Sequence, residues 1–209
     1  MAEWTGTGTT GSSSEVYATL VALKARLGID GDDTSQDDFL NFLLEVASRA
    51  IDDWTHRVFY QTTAGTRHFD SYDPVSLEID DLITLTSLTT DSEQDGTFDG
   101  ETWVQGVTED FYLWPQNQTP KTRVKATPDG DYRFANLANY VKIVGDWGYA
   151  EAPSRIVNAC LLLAAQEYEG QGGENYQSEG LGDYRYRVAT GIDRNDQAMR
   201  LLGAYRKLI

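Results

Sequence analysis

The chain has 209 residues, 40% hydrophobic and 24% charged, enough for one domain with a real core or one domain carrying a sizeable insertion. Its 33 acidic residues against 17 basic give a formal charge of −16, which argues against a grip on nucleic acid through phosphates, since that mode needs clustered Lys and Arg. The same charge suits plain solubility, or a surface that DNA passes without sticking. No apolar run reaches the roughly 18 residues needed to cross a bilayer, so no membrane partner is expected. A single cysteine, Cys160, excludes an internal disulfide. The start, MAEWTGTGTTGSSS, lacks the basic head and apolar core of a signal peptide, so synthesis inside the cell is expected.

Residues 1–14, rich in Thr, Gly and Ser, read as a flexible arm on which Trp4 stands out as a candidate anchor. The spacing of Val16, Leu20, Leu23 and Leu27 predicts a first helix from about Ser13, with Ser12 and Glu15 as a capping box and Gly28 as its stop. A short acidic link, GIDGDDTS, leads to a second helix over Asp37–Phe59. Its stripe is Phe39, Leu40, Leu43, Val46, Ala47, Ala50, Ile51 and Trp54, with Thr34 or Ser35 as the cap. Leu44 and Phe42 lie off that stripe, which predicts neighbours on more than one side. From Thr62 to Trp147 the period falls to two. Candidate strands are Thr66–Phe69, Ser76–Ile79, Ile83–Thr89, Thr102–Gln105, Phe111–Trp114, Thr122–Ala126 and Tyr140–Trp147. Hairpins are expected around Asp80–Asp81 and Asp95–Gly100. Pro153 then opens a third helix, Ser154 to about Tyr168, apolar nearly all round and so expected at the centre of the helical part. Residues 170–182 read as a mobile loop and Tyr184–Val188 as a short strand or extended arm. A fourth helix is expected from Asp193 to Leu208, with Arg206 and Lys207 at the negative end of its dipole.

The predicted class is α+β: a small bundle of about four helices with a large antiparallel β insertion between the second and third. The expected division is an arm 1–14, a helical core 15–61 plus 148–209, and an insertion 62–147. The two helical halves must meet, because neither pair alone buries its stripe.

Few residues carry chemistry. His56 and His68 have no partner at metal-ligand spacing on a common helix face, so both read as structural and no metal site is expected. Cys160, in the most apolar helix, reads as a buried inert thiol. No phosphate loop or dinucleotide fingerprint is present, so no cofactor is expected. Asp91–Thr102 places acids at calcium-loop positions with Gly96 at the sixth, but Thr102 replaces the bidentate Glu, so an acidic turn is the better reading. Trp103, Trp114 and Trp147, with Glu101, Glu109 and Asp110 nearby, would suit a glycan cleft if two of the acids flanked it. Aromatics on alternating strand positions more often form sheet core.

Two stretches resemble phage head–tail connector (adaptor) proteins. The first is LKARLGID followed by the acidic helix that ends in Trp54, Thr55, His56 and Arg57. The second is VKIVGDWGYAEAPSRIVNACLLLAAQEYE, with Gly145, Trp147, Gly148, Tyr149, Pro153, Ala159 and Tyr168. The resemblance makes Trp54, Arg57, Gly148, Tyr149 and Pro153 the core family motif. It implies a non-enzymatic structural protein of the virion, made in the host cytoplasm and placed at the head–tail junction. It implies a homo-oligomeric ring, a dodecamer, below the portal protein, extending the channel for double-stranded DNA without binding it specifically. The ring would offer a platform to the next neck (stopper) or tail protein. It also implies that the C-terminal segment docks on the portal, through Arg200, Tyr205, Arg206, Lys207, Leu208 and Ile209. Trp4 would then anchor the arm within the ring. The competing readings are a tail-completion or tail-terminator protein and, further off, a glycan-binding or glycan-cleaving protein.

Overall fold

The computed structural model describes residues 15–100, 102–171 and 196–207, the side chain of Gln171 excepted. The chain divides into two compact units, Met1–His56 with Pro153–Ile209, and Arg57–Ala152. Four helices and an antiparallel five-stranded sheet, which enters between the second helix and the third, are seen among the described residues, the expected α+β class.

In the helical unit, α1 spans Leu20–Leu27 and starts later than its apolar spacing predicts. Thr19 is extended and its hydroxyl accepts the Ala22 N–H at 3.2 Å, so the cap lies here and Val16 precedes the helix. Gly28 ends α1 in the left-handed region (φ 70°), as expected. The side chain of Lys24, 4% exposed, turns onto the following link. It donates to the carbonyls of Gly31 (3.3 Å) and Asp33 (2.8 Å) and pairs with Asp37 at 2.5 Å. Helix α2 spans Asp37–Thr55. Neither Thr34 nor Ser35 caps it; Gln36 holds that place without a side-chain bond. Ser35 instead gives its N–H to the Asp33 carboxylate (2.9 Å), a turn inside the link. The helix stops before Phe59 because His56 takes a left-handed conformation (φ 54°), its N–H closing on Asp52 C=O at 2.8 Å.

Leu40, Leu43, Leu44, Ala47 and Ile51 of α2 are buried, and each of the larger ones contributes about 1.5–3 kcal/mol. Phe42 and Val46 stay exposed. Helix α3, Ser154–Gln171, packs on α1, α2 and α4 and buries Ile156, Ala159, Cys160 and Ala164, the central position expected of it. Small residues let α2 and α3 approach. Ser48 Oγ donates to Leu44 C=O and lies 3.5 Å from Cys160 Sγ. Helix α4 is described over Asp196–Leu202; its expected start at Asp193 lies outside the described residues. It does not reach Leu208. Gly203–Tyr205 is a 3-10 turn and Arg206 is extended. Glycine is a poor helix residue, and the Lys207 N–H bonds to Thr55 C=O instead of continuing a helix.

The sheet of the β unit runs in the order β1-β5-β2-β4-β3, with β1 Thr62–Ser71, β2 Ser76–Thr90, β3 Phe111–Trp114, β4 Lys121–Ala126 and β5 Leu137–Trp147. The expected hairpin at Asp80–Asp81 does not exist. Ser76–Ile79 and Ile83–Thr89 are one strand, which pairs with β4 up to Leu82 and with β5 beyond it, across an irregular step between Glu78 and Leu82. The expected strand Thr102–Gln105 shrinks to isolated bridges, Thr89 with Thr102 and Gln105 with Phe111. The reversal near Asp95–Gly100 does occur and brings Thr102 antiparallel to Thr89. One face of the sheet forms the core, with Leu77, Ile79, Leu88, Phe111, Leu113, Val124, Ile143 and Trp147. Trp103 closes that core, stacked 4.6 Å from Phe134 and 5.5 Å from Tyr132.

Candidate functional site

Within the helical unit, the C-terminal segment returns to the end of α2. Arg206 lies over the Trp54 ring at 5.2 Å, and the Lys207 N–H donates to Thr55 C=O at 2.9 Å. Helix α2 has no basic residue in its own last turn, so Arg206 brings positive charge towards its negative end. The sequence assigned that task to the end of α4. Arg200 is exposed on α4, while Tyr205 and Lys207 are half-buried. Leu208, Ile209 and Trp4 lie outside the described residues. Pro153 opens α3, its carbonyl accepting from Ile156 N (2.8 Å) and Val157 N (3.1 Å).

Within the β unit, Arg57, Gly148 and Tyr149 come together around a residue the sequence reading missed, Asp81. Arg57 Nη1 donates to Asp81 Oδ1 at 2.5 Å and lies 3.5 Å from the Tyr149 hydroxyl. The Tyr149 ring sits 5.0 Å from Phe59. Gly148 N donates to the Asp81 carbonyl at 2.7 Å. Gly148 has φ +90°, and a Cβ there would fall 2.0 Å from Tyr60 O, so both the turn and the space demand glycine. The neighbouring acids of β2 are paired too, Asp80 with Arg67 at 2.7 Å and Glu78 with Arg123 at 2.7 Å. The signal for Asp81 was in the sequence: Leu77, Ile79, Asp81, Ile83 and Leu85 keep the period of a strand straight through the supposed turn.

The remaining candidates have structural surroundings. Burial pushes the Cys160 thiol up to about 11, far from a nucleophile. The Asp91 carboxylate accepts N–H groups from Asp95 (3.2 Å) and Gly96 (2.8 Å), holding an acidic turn. His68 packs 4.8 Å from Phe98, and His56 is the exposed stop of α2. Trp103 and Trp147 belong to the sheet core, so they do not line a glycan cleft; Trp114 is 43% exposed under the Lys125 ammonium. The Asp110 carboxylate is occupied by Val104 N–H at 2.7 Å. Among the described residues of the helical unit, Asp52 of α2 is the acid whose carboxyl is raised. Burial raises it, against the Tyr17 hydroxyl and Arg49, which lower it. Among the described residues no group of three or more His, Cys, Asp or Glu could hold a metal ion, and no helix is long and apolar enough to cross a membrane.

Residues 17–92 match the phage gp6-like head–tail connector protein family, over α1, α2, β1 and β2. The fold is shared with a chain in the neck of an empty GTA particle with C6 symmetry, at a TM-score of 0.52 and 17% identity over 95% of this chain and 94% of that one. A chain in the virion of a native gene transfer agent (GTA) particle aligns at a TM-score of 0.49 and 20% identity, over 92% and 91% of the two chains. No curated protein matches the sequence.

Proposed function

We propose that this chain is a structural head–tail connector of a tailed, phage-like particle. The match of residues 17–92 to the gp6-like connector family carries the reading, and the fold shared with a neck chain supports it. In this reading copies of the chain form a ring, a dodecamer, below the portal protein. The ring extends the channel for double-stranded DNA and receives the next neck or tail protein. The chain is made in the host cytoplasm, acts by binding rather than by catalysis, and holds no cofactor.

The exposed cations of the C-terminal segment, Arg200 and Arg206, are the portal-docking groups, with Tyr205, Lys207, Leu208 and Ile209 beside them in sequence.

The test is particle production with the gene for this chain deleted, then restored. Deletion is expected to leave DNA-filled heads without tails, and the wild-type chain to restore tails. Restoration with Arg200→Glu/Arg206→Glu is expected to give at least tenfold fewer tailed particles. Tails on particles that lack the chain would overturn the connector reading. Full restoration by the charge-reversed chain would overturn the docking assignment alone.

A further inference from the structure

The helical unit carries a groove of about 820 Å³ between residues 15–20, the start of α1 and the outer face of α2. That volume lies within the roughly 300–1,000 Å³ typical of ligand sites. Leu20, Phe42 and Val157 give it apolar walls, and Asp38 and Glu45 stand among its lining residues. Phe42 is 57% exposed and turned away from the stripe that α2 buries, so nothing in the fold of this unit requires an aromatic there. Glu15 also lines the groove, its carbonyl accepting from Arg49 at 2.6 Å. Residues 1–14 therefore join the described chain at the groove's own rim. In that stretch Trp4 is the sole aromatic residue and Glu3 the sole charged side chain.

We propose that this groove is the seat of Trp4 from a second copy of the chain. The inference rests on the oligomeric connector reading and gives its ring a specific contact. An indole buries about 150–250 Å² and carries its own polar N–H, which suits a groove with apolar walls and carboxylates nearby. Residues 5–14 are long enough to bring Trp4 to the chain's own Phe42 or to a neighbour's, and in a ring of copies the neighbour's groove is the one that links chains. Residues 5–14, fully extended, span about 33–36 Å, enough to cross from one copy to the next. The arm is nearly uncharged, so it approaches a −16 chain with less repulsion than other parts of the sequence would meet. A contact of arm on groove is heterologous, and such contacts repeat head to tail and close into rings when the rotation allows.

The experiment uses the full-length chain with single substitutions Trp4→Cys and Phe42→Cys. Phe42 is exposed, so its replacement leaves the packing of α2 in place. Cys160 is buried and stays silent. The two single variants are mixed at high protein concentration, oxidised briefly with copper phenanthroline and run without reductant; the double variant is treated in the same way. The mixture is expected to give heterodimers, disulfide-linked between the two substituted positions, at least fivefold above the dimers of either variant alone. The double variant is expected to give a ladder of covalent oligomers. An internal disulfide in the double variant, with no ladder, would assign the groove to the chain's own arm and overturn the proposal. Heterodimers no more abundant than the single-variant controls would overturn it as well. If the cross-link fails while deletion of the chain still yields tailless heads, the connector reading stands and only the seat of Trp4 falls.

Discussion

Lys24, Arg49 and Arg206 of the helical unit reach the segments around the helices, the carbonyls of residues 31 and 33, the Glu15 carbonyl and the Trp54 ring, while Lys24 and Arg49 also pair with Asp37 and Asp52. Arg57, Arg67 and Arg123 of the β unit do something else. Each comes from a different segment, and each pairs with an acid in one short stretch of β2: Asp81, Asp80 and Glu78. The contrast follows from backbone bonding. A helix satisfies its own interior and leaves only its ends open. A strand takes partners from far along the chain, and a slip of one residue turns every side chain to the wrong face. These cations therefore hold links and helix ends in one unit and tie separate segments to one strand in the other, where Lys121 and Arg133 also hold loop carbonyls.

The contrast is broken most strongly at the turn that meets the β2 pins from behind. Gly148→Ala is expected to cost more than about 4 kcal/mol, because its Cβ would meet a fixed backbone oxygen at a left-handed position. Urea unfolding checks it, and a loss below about 1 kcal/mol would show that the turn can rearrange. Next, Asp81→Ala should cost about 3 kcal/mol by leaving Arg57 without its carboxylate in a site only 9–21% exposed. Adding Arg57→Ala to that variant should cost little more, since the stranded charge goes with it. Additive losses in the double-mutant cycle would mean that the two side chains act separately.

The smallest effect is on the helical side. A carboxyl raised by folding holds its proton more tightly when folded. Its contribution is thus fully present below the unfolded value near 3.8 and is lost as the pH rises through the folded value. Asp52→Asn removes the charge and keeps an oxygen for the Tyr17 hydroxyl. It should raise Tm slightly at pH 7, with the gain vanishing near pH 3. A Tm that falls at pH 7 would show that pairing with Arg49 outweighs burial.

The helical unit was largely legible because its information is local. The stripe Leu40, Leu43, Ala47, Ile51, the stop at Gly28 and Pro153 opening α3 each depend on residues a few positions apart. What failed there were the caps, the far ends of α2 and α4, and Val46, which faces out. Ser12, Thr34 and Ser35 have the right chemistry, but Thr19 has the extended backbone that capping needs, and Ser35 is engaged by Asp33. The β unit was legible in class and in β3, yet misread at Asp80–Asp81. Two adjacent acids signal a turn only when no distant cation answers them, and Arg57 and Arg67 do. Of the site, Arg57, Gly148 and Tyr149 were found through family likeness. Their meeting point, Asp81, needed the fold.

The acidic link between α1 and α2 has one more consequence. Its carbonyls at Gly31 and Asp33 and the Asp37 carboxylate converge on one ammonium group, much as oxygen ligands converge on a calcium ion. Here the ion is covalently tethered, at the end of Lys24. It cannot be chelated, exchanged or diluted away. The bend between these two helices should thus survive a chelator or a dilution that would strip a bound metal ion.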